Sequence, residues 1–349
     1  MDIYLEFTHG LHHGFRMTTA TGSWTADGPG SDLPIVVRPN RTRPDRIFRA
    51  LCLAAGMVTL VVLVLIGFFL LHNSLDALRA AGWGFFTTVN LPPVLTPESH
   101  DFGIAALIFG TVEISVIALI IAVPVSIATA LFIAEYAPAR ARAPLTSIVE
   151  LLAAVPSLIY GLWGFFYLQP KMIPVSEWLN AHLGFFPMFK VSEKLFTSSP
   201  FIAGVVLSLM VIPISTSVMR QVFSQAPPAE KEGALALGGT RWGMIRTVVL
   251  PFGRGGMIGG SMLGLGRALG ETIAVAIIIS PIFTITPHLL QSGGNSIPAL
   301  IALRFSESQG LQLSVLMAAG LTLFALTLVV NTLASIIVSR SRSGSGVEI

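Results

Sequence analysis

Two charges stand where charges are costly. Within the apolar run 256–281, the stretch Gly-Leu-Gly-Arg-Ala-Leu-Gly-Glu-Thr holds Arg267 and Glu271. An ionised side chain at the centre of a membrane helix costs about 2.5–3.5 kcal/mol on insertion scales, so both are expected to face a bundle interior or an aqueous cavity. Arginine presents a permanently charged planar fork that suits a tetrahedral oxyanion. The chemistry this suggests is anion transfer. Gly256, Gly260, Gly264, Arg267 and Glu271 would lie on one face of a continuous helix, small at one end for close approach by a neighbour and charged at the other. The alternative is a structural ion pair, although cation before carboxylate at i,i+4 is the weaker order for stabilising a helix. A G-x-G-x-x-x-G pattern inside an apolar run does not fit the dinucleotide fingerprint.

A second constellation lies between two apolar runs: Glu232-Gly233-Ala234, three residues, Gly238, nine residues, then Val248-Val249-Leu250-Pro251. Pro227 and Pro228 can start a short helix ending at Leu237, and Gly238-Gly239 can cap it in the left-handed region. Thr240 can N-cap a second helix running to Leu250, with Pro251 following. The spacing resembles the EAA loop of ABC-importer permeases, with Gly233 in place of the first Ala and Val248 in place of Ile. That resemblance implies a rigid knob at 228–251 that docks on a separate ATPase subunit through Glu232, Gly233, Ala234, Gly238, Leu250 and Pro251. An ordinary cytoplasmic helical hairpin is the bland alternative.

The elements that must position these groups are membrane helices. Of the 349 residues 53% are hydrophobic and 11% charged, and the mean hydropathy is +0.77, which excludes a water-soluble globular fold. Six runs reach spanning length, near 50–71, 103–124, 148–168, 201–219, 256–281 and 313–338. With the N-terminus inside, the inner segments carry 6, 2, 5 and 2 Lys or Arg against 1, 3 and 1 outside, as the positive-inside rule requires. Residues 1–49 are expected to form a basic, disordered cytoplasmic arm, in which Met17 is an alternative start, and 339–349 a cytoplasmic tail. The outer loop 169–200, with Trp178, Phe185, Phe186 and Phe189, reads as an aromatic anchor at headgroup level or a docking surface for a soluble partner.

Cys52 is the only cysteine, which excludes an internal disulfide or a thiolate cluster. No HExxH pair and no G-x-x-x-x-G-K-[ST] phosphate loop occurs, so no catalytic residue, metal or bound cofactor is expected and ATP hydrolysis belongs to another subunit. The net charge of +3 gives no nucleic-acid surface.

Three stretches narrow the likeness: 154–164 (Ala-Val-Pro-Ser-Leu-Ile-Tyr-Gly-Leu-Trp-Gly), the EAA-like loop, and 266–275 (Gly-Arg-Ala-Leu-Gly-Glu-Thr-Ile-Ala-Val). Over about residues 45–340 the chain resembles the PstC-type permease subunits of bacterial phosphate ABC importers. The resemblance implies an all-α, six-span, MetI-like type I permease fold in the inner membrane with both termini cytoplasmic. It implies a PstA-like permease partner, two PstB-like ATPase subunits, an external PstS-like phosphate-binding protein, and phosphate as cargo. By the same resemblance Arg267 and Glu271 line the substrate pathway. Ser157, Tyr160, Ser215, Thr216 and Ser217 are weaker candidates, since hydroxyls in membrane helices commonly bond to backbone or to a neighbouring helix. Glu113 has no assigned role, and Glu150 reads as an interface or packing carboxylate rather than a pathway residue. The rivals are an importer of sulfate or molybdate and a proton-coupled secondary transporter with Glu113 and Glu271 as relays.

Overall fold

The computed structural model describes residues 43–92, 95–96, 98–191 and 195–341. Most of the expected arm, Met17 included, and the tail beyond 341 lie outside the described residues. The chain divides into Met1–Met57 and Val58–Ile349. In the first unit the described residues, 43–57, are helical, the last part of the expected arm, 43–49, among them.

Among the described residues the secondary structure is helical, apart from one bridge between Pro281 and Gly294. Helix α1, Arg43–Ala81, outruns the expected 50–71 because nothing interrupts it before Gly82, whose φ of +55° ends it. Helix α2, Ala105–Leu131, continues into a π-helical turn, Phe132–Tyr136. The third apolar run is not one straight helix. Pro156, which lacks an amide proton and keeps its predecessor out of the helical region, separates α3 (Ala139–Ala153) from α4 (Ser157–Trp163). The chain continues through a π-helical turn, Gly164–Leu168, into α5 (Gln169–Leu183), and it bends by 87° at the break. Much of the expected outer loop 169–200 is therefore helix.

Helix α6, Pro200–Ser224, is the central element and is N-capped by Ser199, which accepts from the Ile202 amide. It packs against α2, α3 and the later α9 (Arg254–Leu269). Between α6 and α9 come α7 (Pro228–Ala236), α8 (Arg241–Met244), a π-helical turn Ile245–Val249, and a short turn Leu250–Phe252. Pro251 thus lies inside a helical turn rather than beyond the end of one. A 67° bend at Gly253 leads into α9.

The fifth apolar run is also interrupted. Helix α9 stops at Leu269, and α10 (Ile273–Ile278) starts after Thr272. Residues 279–296 are irregular, held by Ile282 N–H to the Gly294 carbonyl (3.1 Å) and Gly294 N–H to the Ser280 carbonyl (3.0 Å). Then follow α11 (Ile297–Arg304) and α12 (Leu311–Ser341). Among the described residues four helices can cross a membrane by length and composition, or up to six if each bent pair is one span.

Three buried apolar clusters hold the second unit. One joins α2, α6, α9 and α10 around Ile114, Leu207, Val211, Ala268 and Ile278. A second gathers Phe85, Phe102, Leu107, Leu300 and Leu316. The third joins the end of α2 to the 228–251 hairpin through Leu131, Phe223, Met244 and Ile245.

Candidate functional site

The glycines of α9 set the geometry around Arg267. A Cβ on Gly264 would lie 2.6 Å from Val211 Cγ1 and 2.7 Å from Ser215 Oγ, and one on Gly256 would lie 2.5 Å from Val222 Cβ. Small residues at this face let α9 and α6 approach to near backbone contact. Ser215 Oγ uses that closeness to donate to the Gly260 carbonyl at 2.9 Å. Its hydroxyl ties two helices together.

Arg267 sits one turn beyond, half-buried, with its Nε buried and without a hydrogen-bond partner among the described residues. The guanidinium lies within Coulombic reach of the Tyr160 phenol, which donates to the Leu152 carbonyl at 3.1 Å. The reason Tyr160 comes so close is its neighbour. A Cβ on Gly161 would sit 2.8 Å from Ala274 Cα, so α4 and α10 touch backbone to backbone just past the end of α9.

Glu271 is not where a continuous helix would put it. It lies in the break between α9 and α10, is 8% exposed, and its Oε1 accepts from the Ala274 amide at 3.3 Å. The carboxylate satisfies one of the orphan amides of a helix start, as a capping residue does. Arg267 and Glu271 are not an ion pair: among the described residues the pairs within 4.0 Å are Arg220–Glu150 at 3.6 Å and Lys231–Glu135 at 2.6 Å. The one-face expectation holds for the glycines and fails at Glu271, because Gly270 ends the helix between them.

The hydroxyl candidates separate. Ser215, Thr216 and Ser217 are successive residues of α6, so they point about 100° apart and cannot line one cavity together. Thr216 is fully buried and its Oγ1 has no partner among the described residues, while Ser217 is half-buried. Ser157 opens α4 directly behind Pro156 and is half-buried. Glu113 is half-buried on α2, with Oε1 buried and unpartnered among the described residues. Glu150 lies 3.6 Å from Arg220 but its side chain is 57% exposed, so it is a surface ion-pair partner rather than a packed carboxylate. Asn331 of α12, the only amide side chain in the last apolar run, brings its Oδ1 to 3.7 Å from the position of a Cβ on Gly266. Its polarity inside that run was the available signal.

The first helix and the turn of the hairpin form as the spacing predicts, whereas the second helix gives way to a π-helical turn after Met244. Gly238 has φ +81°. Its amide donates to the Leu235 carbonyl (3.0 Å) and that of Gly239 to the Ala234 carbonyl (3.2 Å), the bond pattern of a left-handed helix cap. Thr240 Oγ1 accepts from the Gly243 amide at 3.1 Å. Glu232, Gly233 and Pro251 face outward, whereas Ala234 and Leu250 pack inward on the third cluster. Leu237, 92% exposed, and Trp242, 57% exposed, project beside them. Lys231, which the sequence reading passed over, turns inward. It lines a cleft of ≈ 270 Å³ with Glu135, Glu232 and Arg241.

Residues 122–343 match the family described as binding-protein-dependent transport system inner membrane component. The chain is 42% identical over 311 residues to the phosphate transport system permease protein PstC 2 of Mycobacterium tuberculosis, covering 88% of this chain and 95% of that protein. It is 40% identical over 304 residues to the phosphate transport system permease protein PstC of Xylella fastidiosa, covering 85% and 91%. Its fold is similar to a chain of a bacterial ABC transporter involved in the import of the acidic polysaccharide alginate, with TM-score 0.53 and 18% identity over 84% of this chain and 97% of that one.

Proposed function

The chain belongs to the binding-protein-dependent transport system inner membrane component family, and from that membership we propose that it is the permease subunit of an ATP-driven phosphate importer. The observation that carries this reading is the identity of 40–42% across most of the chain to proteins named phosphate transport permeases. A buried, unpartnered guanidinium nitrogen on a membrane helix supports it, because such a group is retained at a cost unless an anion meets it.

In this reading the chain crosses six times, near 50–71, 103–124, 148–168, 201–219, 256–281 and 313–338, with both termini and the 228–251 hairpin cytoplasmic, and residues 50–338 form one permease domain. The chain is half of a channel completed by a PstA-like subunit. Of the two PstB-like ATPases of the complex, one binds the 228–251 hairpin of this chain through Glu232, Gly233, Gly238, Leu237 and Trp242, with Ala234, Leu250 and Pro251 shaping it. A PstS-like protein delivers phosphate from outside. Closure of the ATPase pair displaces the hairpin, and the spans rock between inward and outward openings. Arg267 holds the anion, with the Tyr160 phenol of α4 within Coulombic reach of it and Ser157 at the start of that helix as a further hydroxyl. Glu271 shapes the break between α9 and α10 by capping α10. The chain itself binds no cofactor.

The test is ATP-dependent uptake of labelled phosphate by the assembled complex, competed with sulfate and molybdate. Phosphate alone should compete strongly. Displacement by sulfate or molybdate at equal concentration would move the assignment to another oxyanion.

A further inference from the structure

We propose that Lys231 and Glu135 form the strut through which the coupling hairpin moves the second span; this rests on the ATPase-coupling reading of the hairpin. Lys231 Nζ donates to Glu135 Oε1 at 2.6 Å, across a sequence separation of 96 residues. Both side chains are largely withdrawn from solvent, at 19% and 10% exposure. A charge-assisted bond of that length in a partly desolvated site is stronger and stiffer than a surface ion pair.

The local structure explains why these two residues meet. Helix α7 divides its residues between two sides: Lys231 and Ala234, three apart, are partly buried toward the body, whereas Glu230, Glu232 and Gly233 are exposed, as is Leu237 just past its end. The body at that point is the π-helical turn Phe132–Tyr136 that ends α2. That turn accommodates an extra residue, and Glu135 leaves it toward α7. The second half of the hairpin reaches α2 by apolar packing of Met244 and Ile245 near Ala130 and Leu131. The first half adds Ala234 and this bond. An apolar contact lets surfaces slide, and a short ion pair fixes distance and direction. Displacement of the outward face of α7 is therefore passed to α2 at Glu135.

The experiment uses the whole complex in proteoliposomes with phosphate-loaded binding protein, measuring phosphate import and ATP hydrolysis in the same vesicles. Lys231→Met and Glu135→Gln should assemble and hydrolyse ATP, yet import about tenfold less phosphate per ATP, the order of a coupling free energy. The exchange Lys231→Glu with Glu135→Lys should restore most of that ratio. An unchanged ratio in Lys231→Met overturns the strut. So does loss of the co-purified ATPase, which is what Gly238→Val should cause by straining the cap, because the contact would then serve docking. If the single variants fail to assemble, the exchanged pair decides: native coupling upholds the strut, and an uncoupled or unassembled complex refutes it. Absence of ATP-dependent uptake in the unaltered complex would instead sink the coupling reading itself.

Discussion

Arg267 and Glu271 look like partners in the sequence and act separately in the structure. The guanidinium lies within Coulombic reach of Tyr160 with its Nε unmet among the described residues, and the carboxylate accepts from the Ala274 amide. Their substitutions should therefore diverge. Arg267→Lys keeps the charge but loses the fork that binds two oxygens at once, so phosphate uptake normalised to assembled complex should fall about tenfold or more, the scale of one charged hydrogen bond. Glu271→Gln retains an acceptor for the Ala274 amide and should keep most uptake, whereas Glu271→Ala should lose about 1 kcal/mol of stability along with the cap. Uptake and thermal unfolding of both variants check this. Equal loss in Glu271→Gln and Arg267→Lys would return Glu271 to the anion pathway.

At the scale of elements, glycines decide which helices touch. Gly264 abuts Val211 and Ser215, while Gly259, on another side of α9, has nothing within 4 Å of a Cβ. Gly264→Ala should push α9 off α6, strain the Ser215–Gly260 bond and destabilise the protein by about 1–3 kcal/mol, as overpacking does. Gly259→Ala should be neutral or slightly stabilising, since it removes only unfolded-state freedom. A melting-temperature comparison of the two in detergent checks the packing. If Gly264→Ala melts with or above the native protein, the close approach of α9 and α6 is not a constraint.

For the whole molecule, the asymmetry of Lys and Arg predicts which end of each span faces the cytoplasm. Gln309 lies just before α12 and is exposed, and Leu237 stands out from the hairpin. With Cys52 replaced by Ser, Gln309→Cys should react with an impermeant thiol reagent on intact cells, and Leu237→Cys only after the membrane is opened. Labelling of Leu237→Cys from outside would invert or break the six-span topology.

How much of this was legible follows from what each feature depends on. The hairpin's start, turn and cap were readable, because a proline start, a glycine requiring φ > 0 and a threonine cap are local constraints that neighbouring residues impose on one another; the π-helical turn at Ile245–Val249 and the place of Pro251 inside a helical turn were not. The membrane class and the apolar runs were equally plain, since each run answers to the same solvent at every point along it. The breaks at Pro156 and at Gly270–Thr272 were not. Hydropathy measures how apolar a run is, and a bent or interrupted helix stays as apolar as a straight one when other helices satisfy its backbone. The tertiary structure alone decided that Glu271 caps α10, that Ser215 bonds to Gly260 and that Lys231 finds Glu135. Each of those partners is chosen by the packing of chain segments that sequence spacing within one helix does not relate.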